Sequence, residues 1–175
     1  MSFFGIQSTS AGARTERLGV KWVRAGCDWR WGEMVRGNYR PGSPAGARAN
    51  HQLVMYCMTA YPPSWAQKLA GDEPFWEGAG SAERVTWWAD YVEQTARLYN
   101  GLADTFEVQN EPDLTCMYQV GLSFDAGVER YLRILRAAAP AIRRGAPAAR
   151  IAGIDVSGGD YDRGLPYSEA VMARA

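Results

Sequence analysis

Short runs of β-branched and aromatic residues alternate with longer segments of helical periodicity, and this strand–helix–strand pattern recurs five times along the 175 residues. Such alternation implies parallel strands joined by right-handed helical crossovers. Phe3–Gln7 reads as a strand, and Thr15–Leu18 belongs to a short helix. Val20–Arg24 (V-K-W-V-R) is a second strand. Gly37–Ala49, rich in Gly, Pro and Arg, is a loop with at most a short helix. Gln52–Thr59 is a third strand, stopped by Pro62-Pro63. The clearest helix is Ser81–Tyr99, with Ser81 as N-cap and Glu83 in the first turn, where the helix dipole favours a carboxylate. Val85, Trp88, Val92, Ala96 and Tyr99 form its apolar stripe, and Asn100-Gly101 stops it. Thr105–Gln109 is a fourth strand. Ser123–Arg144 is a second long helix, with Val128, Tyr131, Leu132, Leu135 and Ile142 inward and Pro140 expected to kink or end it. Arg150–Val156 is a fifth strand, and Pro166–Ala175 starts another helix.

Two α/β architectures fit this order: a doubly wound open sheet, or part of an eight-stranded barrel. A doubly wound nucleotide-binding domain predicts a Gly-rich phosphate loop after its first strand. Ser8–Ala13 (S-T-S-A-G-A) carries neither G-x-G-x-x-G nor G-K-[ST]. The preferred fold is therefore a partial (β/α)8 TIM barrel, about strands 1–5 with their helices. A complete barrel takes about 250 residues, so the barrel is incomplete, and an ending inside an apparent helix reads as a cut.

Composition narrows the function. Lys plus Arg (19) equals Asp plus Glu (19), which argues against binding nucleic acid through bulk charge. No apolar stretch approaches the ~20 residues needed to span a bilayer, and Met1–Gln7 lacks a signal-peptide layout. The compartment is left open. Cys27, Cys57 and Cys116 cannot build a disulfide framework, and the single His51 leaves no metal site of the usual His/Cys type. No cofactor is implied. Cations are nearly all arginine, Lys21 and Lys68 excepted. Seven tryptophans exceed what the core needs. Trp22, Trp87 and Trp88 are assigned to the core. Trp29, Trp31 and Trp65 follow strand ends, where a flat apolar ring with a donor edge suits a ligand surface.

The strongest chemical signal is F-E-V-Q-N-E-P-D-L, Phe106–Leu114. An apolar strand runs straight into Asn-Glu-Pro, so Glu111 is fixed at the strand's C-terminal end, where barrels carry their catalytic groups. Asn110 beside it can hydrogen-bond a substrate hydroxyl. The tripeptide alone is weak, and its position at a strand end gives it weight. Strand alternation sets Glu107, Gln109 and Glu111 on one face. A buried Glu107 needs a partner, and an arginine is expected. Asp155 reads as a turn-capping residue, His51 as a loop residue and Cys57 as a small core residue.

In these segments the chain resembles the retaining glycoside hydrolases of clan A, the (β/α)8 enzymes typified by cellulases, xylosidases and family-39-like members. Gly19–Arg24 resembles the second barrel strand, whose terminal arginine supports the catalytic carboxylates. Asp28–Tyr39 is similar to the loop that follows, Pro62–Ala66 to the segment after strand three, Phe106–Leu114 to strand four, and Ala146–Gly153 to the entry into strand five. Only the strand-four motif is highly specific; the others gain weight from their order. The resemblance implies one incomplete catalytic barrel domain over 1–175, acting on O-glycosides or oligosaccharides. Glu111 would be the general acid/base, with Asn110 and Arg24 completing the catalytic set. Trp65, Trp29, Trp31 and Tyr118 would bind substrate, and Asp160-Tyr161 would line the same cleft. Two departures stand out: Gln109 replaces the usual aromatic residue, and Tyr39 to Gln52 is short for a second helix. The family's nucleophilic glutamate lies on strand seven. Retaining cleavage needs two carboxyls about 5–5.5 Å apart, so this polypeptide alone is expected to be inactive. Unpaired edges at strands one and five call for the rest of a barrel, or a second chain, to cover them. The alternative is a non-catalytic carbohydrate-binding remnant.

Overall fold

The structure, a computed structural model, describes residues 5–7, 17, 19–157 and 161–175. Phe3 and Phe4, the Ser8–Ala13 segment, most of the expected Thr15–Leu18 helix, and Asp160 lie outside these residues. Five strands form one sheet: β1 (Gly5–Gln7), β2 (Trp22–Asp28), β3 (Leu53–Thr59), β4 (Thr105–Val108) and β5 (Arg150–Ala152). Every pairing is parallel, and the strand order is β1-β2-β3-β4-β5. A doubly wound sheet reverses its strand order at a switch point. The unreversed order excludes that architecture and defines the first five strands of a (β/α)8 barrel. The helices are α1 (Trp29–Gly32), α2 (Ala45–Ala49), α3 (Ser64–Ala70), α4 (Ser81–Leu98), α5 (Phe124–Gly145) and α6 (Tyr161–Arg174). None is long and apolar enough to cross a membrane among the described residues.

The core lies between the sheet and α4 and α5. Val23, Val54, Tyr56, Met58, Phe106 and Val108 project from one sheet face and are fully buried. They meet Trp88, Tyr91 and Val92 of α4 and Tyr131, Leu132 and Ile142 of α5. Ser123 caps α5 by accepting from the Ala126 N–H. Ser81 is not a cap: Gly80 holds that position, and Ser81 is the first residue of α4. Pro140 does not end α5, which runs on to Gly145, because Ala138, Ala141 and Ile142 around it are buried in the core. Trp88 is core and Trp87 is half-buried against it, but Trp22 is no core residue. It shares a strand face with Arg24, away from the helices, and stays half-buried.

β2 extends four residues past the expected end at Arg24, through Ala25-Gly26-Cys27-Asp28, paired rung for rung with β3. Arg24 thus sits inside a strand and not at its end. Gly26 permits this close approach, since a Cβ there would clash with the Cys57 carbonyl oxygen, a backbone atom with no room to yield. Gly26→Ala is expected to lower stability by about 1–3 kcal/mol, measured as a shift in the urea midpoint with unchanged slope. β5 stops at Ala152, because Ile154 takes a left-handed conformation (φ 62°).

Candidate active site

The inner sheet face carries the charged residues. Register aligns Gly26, Cys57, Glu107 and Ala152 on one rung, with Arg24 and Met55 two rungs earlier and so on the same face. Glu107 is buried, at 2% side-chain exposure, and needs a partner there. Arg24 supplies it through a two-pronged contact, Nε to Oε2 at 2.7 Å and Nη2 to Oε1 at 2.5 Å. The same Nη2 lies 2.7 Å from Asn110 Oδ1 and 2.9 Å from Asp155 Oδ2. The hydrogen bond to Glu107 raises the arginine pKa above its ordinary value. Burial, then the neighbouring Glu107, pushes the Cys57 thiol up to about 12, so it is a neutral packing residue.

After β4 the backbone twists sharply. Gln109 (φ 68°) and Glu111 (φ 44°) both occupy the left-handed region, which non-glycine residues enter at a cost. This breaks the strand alternation expected for Glu107, Gln109 and Glu111. Gln109 does not join Glu107 beside Arg24. Its Oε1 accepts from the Ala60 N–H at 2.8 Å, and its Nε2 donates to Thr115 Oγ1 at 2.7 Å. Pro112 leads into a π-helical turn, Asp113–Met117, whose Leu114 and Thr115 N–H groups both bond the Glu111 carbonyl. π-Turns recur at functional sites. Glu111 itself is half-buried and close enough to Tyr61 and Asp155 to raise the pKa of each.

A groove of about 420 Å³ opens at the C-terminal ends of β2, β3 and β4. Its walls include Arg24, Asp28, Trp31, Thr59, Tyr61 and Asn110. Trp31 is 59% exposed at its rim. The Arg30 guanidinium lies over both the Trp31 and Tyr61 rings and pairs with Asp28 at 2.9 Å.

Of Trp29, Trp31, Trp65 and Tyr118, only Trp31 reaches this groove; the Tyr161 side chain lies outside what the structure describes. Trp29 is fully buried and cannot stack on a ligand. It lies under the sheet's end among five other aromatic rings, with its Nε1 donating to buried Glu33 at 2.8 Å. Trp65 is half-buried on the same cluster and donates to the Glu33 carbonyl. Tyr118 is exposed on a short 3-10 turn and is not among the groove's walls. Two residues were missed. Tyr61 follows β3 directly, and the strand-end rule that selected Trp65 applies equally to it. Asp155 is no turn cap: it bridges in parallel to Asn110 and binds Arg24. Although 48% of its side chain meets solvent, loss of hydration on the remainder and the nearby Glu107 push its carboxyl up to about 6.

Comparison with solved structures agrees with the barrel. A family 39 glycoside hydrolase from the gut symbiont Bacteroides cellulosilyticus WH2 superposes with a TM-score of 0.67 over 95% of this chain, at 16% identity. A family 1 β-glucosidase from Thermotoga maritima gives 0.60 over 79% at 18% identity. GH5_18 from Streptomyces cattleya, solved in complex with Manb1-4GlcNAc, gives 0.61 over 79% at 16%. All three are glycoside hydrolases of clan A. The chain spans about a third of each: 35%, 34% and 36%. No family model and no curated protein sequence matches it. At these identities the likeness establishes the fold, a partial (β/α)8 barrel.

Proposed function

We propose that this chain forms the proton-transfer half of a retaining glycoside hydrolase site, with Glu111 as general acid/base. The observation that carries this reading is the position of Asn110 just past β4, on the groove wall and bound to Arg24, with Glu111 next to it in the chain and near Tyr61 and Asp155, though not itself on that wall. Asn110 is anchored through its amide oxygen, which leaves the amide N–H groups to bond a sugar hydroxyl. Trp31 and Tyr61 offer flat faces for the apolar side of a pyranose ring. Glu111 gives its proton to the departing glycosidic oxygen as the bond to the anomeric carbon breaks, then takes one from the attacking water. The second carboxyl that retaining cleavage requires belongs, by the resemblance, to a seventh strand, which the described sheet does not contain. Further strands, or a second chain, pairing along β1 and β5 would complete the barrel.

The test uses p-nitrophenyl β-glycosides and the corresponding disaccharides. Saturable binding without turnover is expected from the purified chain. Sodium azide should restore slow cleavage: azide attacks the anomeric carbon, the aryl oxygen leaves, and a glycosyl azide forms. Glu111→Gln should keep binding and lose the azide-dependent cleavage of disaccharides, whose leaving oxygen needs the proton. Trp31→Ala should weaken binding by about tenfold, or about 1.4 kcal/mol. Turnover without azide would overturn the missing-nucleophile reading. Binding with no azide-dependent cleavage would favour a carbohydrate-binding remnant, and no sugar binding would overturn both.

A further inference from the structure

Arg24 Nη2 carries two N–H bonds, yet three oxygens lie within 2.9 Å of it: Glu107 Oε1, Asn110 Oδ1 and Asp155 Oδ2. One acceptor must share. Glu107 is buried and held at both prongs, so it keeps its hydrogen. The contest is between Asn110 and Asp155.

Asp155 is held rigidly in this contest. Ile154 before it is β-branched and left-handed, a strained conformation that the surroundings must enforce. Its N–H donates to the Tyr131 hydroxyl at 2.6 Å. On the other side, Asp113 of the π-turn accepts from both Ser157 N (3.0 Å) and Ser157 Oγ (2.7 Å). The segment is thus pinned to α5 and to the turn that follows Glu111. This is an unusual investment for a residue that only caps a turn.

We propose that Asp155 is a positioning residue whose protonation state decides how firmly Arg24 holds the Asn110 amide. The inference deepens the function proposed above, because Asn110 is the group assigned there to a sugar hydroxyl. An ionised Asp155 draws the shared N–H by a charge-assisted bond, about twice as strong as a neutral one. A protonated Asp155 releases it to Asn110. The groups facing Asp155 are Arg24 from β2, Glu107 from β4, and Glu111 just beyond it. Tyr131 of α5 also feels its charge, and Cys57 of β3 acts on Arg24. Burial and the neighbouring Glu107 push this carboxyl up to about 6, so Asn110 should be held more tightly below that pH and more loosely above it.

The test is an NMR titration of the Asn110 side-chain amide from pH 4.5 to 8, on the chain without ligand. A midpoint near 6 is expected, coincident with that of the Asp155 carboxyl carbon observed directly. The titration should vanish in Asp155→Asn, return in Asp155→Glu, and persist in Glu111→Gln. An Asn110 amide that follows Glu111, or is flat while Asp155 titrates, overturns the proposal. The wild-type comparison of the two midpoints stands even if a variant fails to fold. With p-nitrophenyl β-glucoside as probe, binding should be about 3–10-fold tighter at pH 5 than at pH 7.5, and level in Asp155→Asn. If the amide titrates as expected and the glucoside does not bind, the positioning role stands and the glycosidase reading falls.

Discussion

Trp29→Ala is expected to remove a large part of the chain's stability at 25 °C. Truncating a fully buried tryptophan costs about 3–5 kcal/mol through lost transfer energy and the cavity left behind. A domain's whole stability is about 5–15 kcal/mol. The site has little room to collapse, since Trp65, Phe75, Trp76, Trp88 and Tyr91 all pack against this one ring, with centroids 5.7–6.4 Å away. The truncation also strips buried Glu33 of its indole donor, leaving the Gly37 N–H as its remaining bond. Trp29→Phe separates the two effects: the ring is largely kept, and the orphaned carboxylate costs about 1–3 kcal/mol. Urea denaturation followed by far-UV circular dichroism measures both. Trp31→Ala, two residues away at the exposed rim, should leave the midpoint unchanged.

Arg24→Met should be nearly as damaging, by about 3–5 kcal/mol, because it abandons a buried carboxylate. Glu107 is only 2% exposed, and Asn110 and Asp155 lose their shared donor in the same step. The companion variant Glu107→Met alone strands the arginine less severely, since 21% of its side chain is exposed and Asp155 is at hand. Removing both partners should recover part of the loss, as replacing a buried pair with apolar groups often does. A double variant no more stable than Arg24→Met alone would show that the pair is not what the substitution disrupts. The measurement is a double-mutant cycle of denaturation midpoints at pH 7.

These effects mark where the sequence was readable. The strand order followed from apolar runs because each buried strand is chemically continuous; Asn-Glu-Pro at a strand end pointed to Asn110, and the resemblance of Gly19–Arg24 to a barrel strand pointed to the arginine that binds it. Trp29 and Trp31 look alike in sequence, both just after β2. They part because α1 winds between them: two residues along a helix turn a side chain by about 200°, one into the core and one to the rim. The reach of β2 past Arg24 was hidden because Ala-Gly-Cys are indifferent strand formers, carried here by pairing with seven residues of β3. The left-handed turns at Gln109 and Glu111 have no local signature, since neither residue favours that backbone. Asp155 meets Arg24 across 131 positions of chain, and nothing near it in sequence announces an arginine partner.

The unreversed strand order has a consequence for how the molecule is made. Each of β2 to β5 hydrogen-bonds the strand synthesised just before it, so none of these four pairings waits for a distant segment to emerge from the ribosome. From β2 onward only one or two helices and their turns separate successive partners, and the entropy lost in bringing them together stays modest. Assembly can then proceed from the N-terminus as a growing ribbon, each βα unit docking on a finished neighbour.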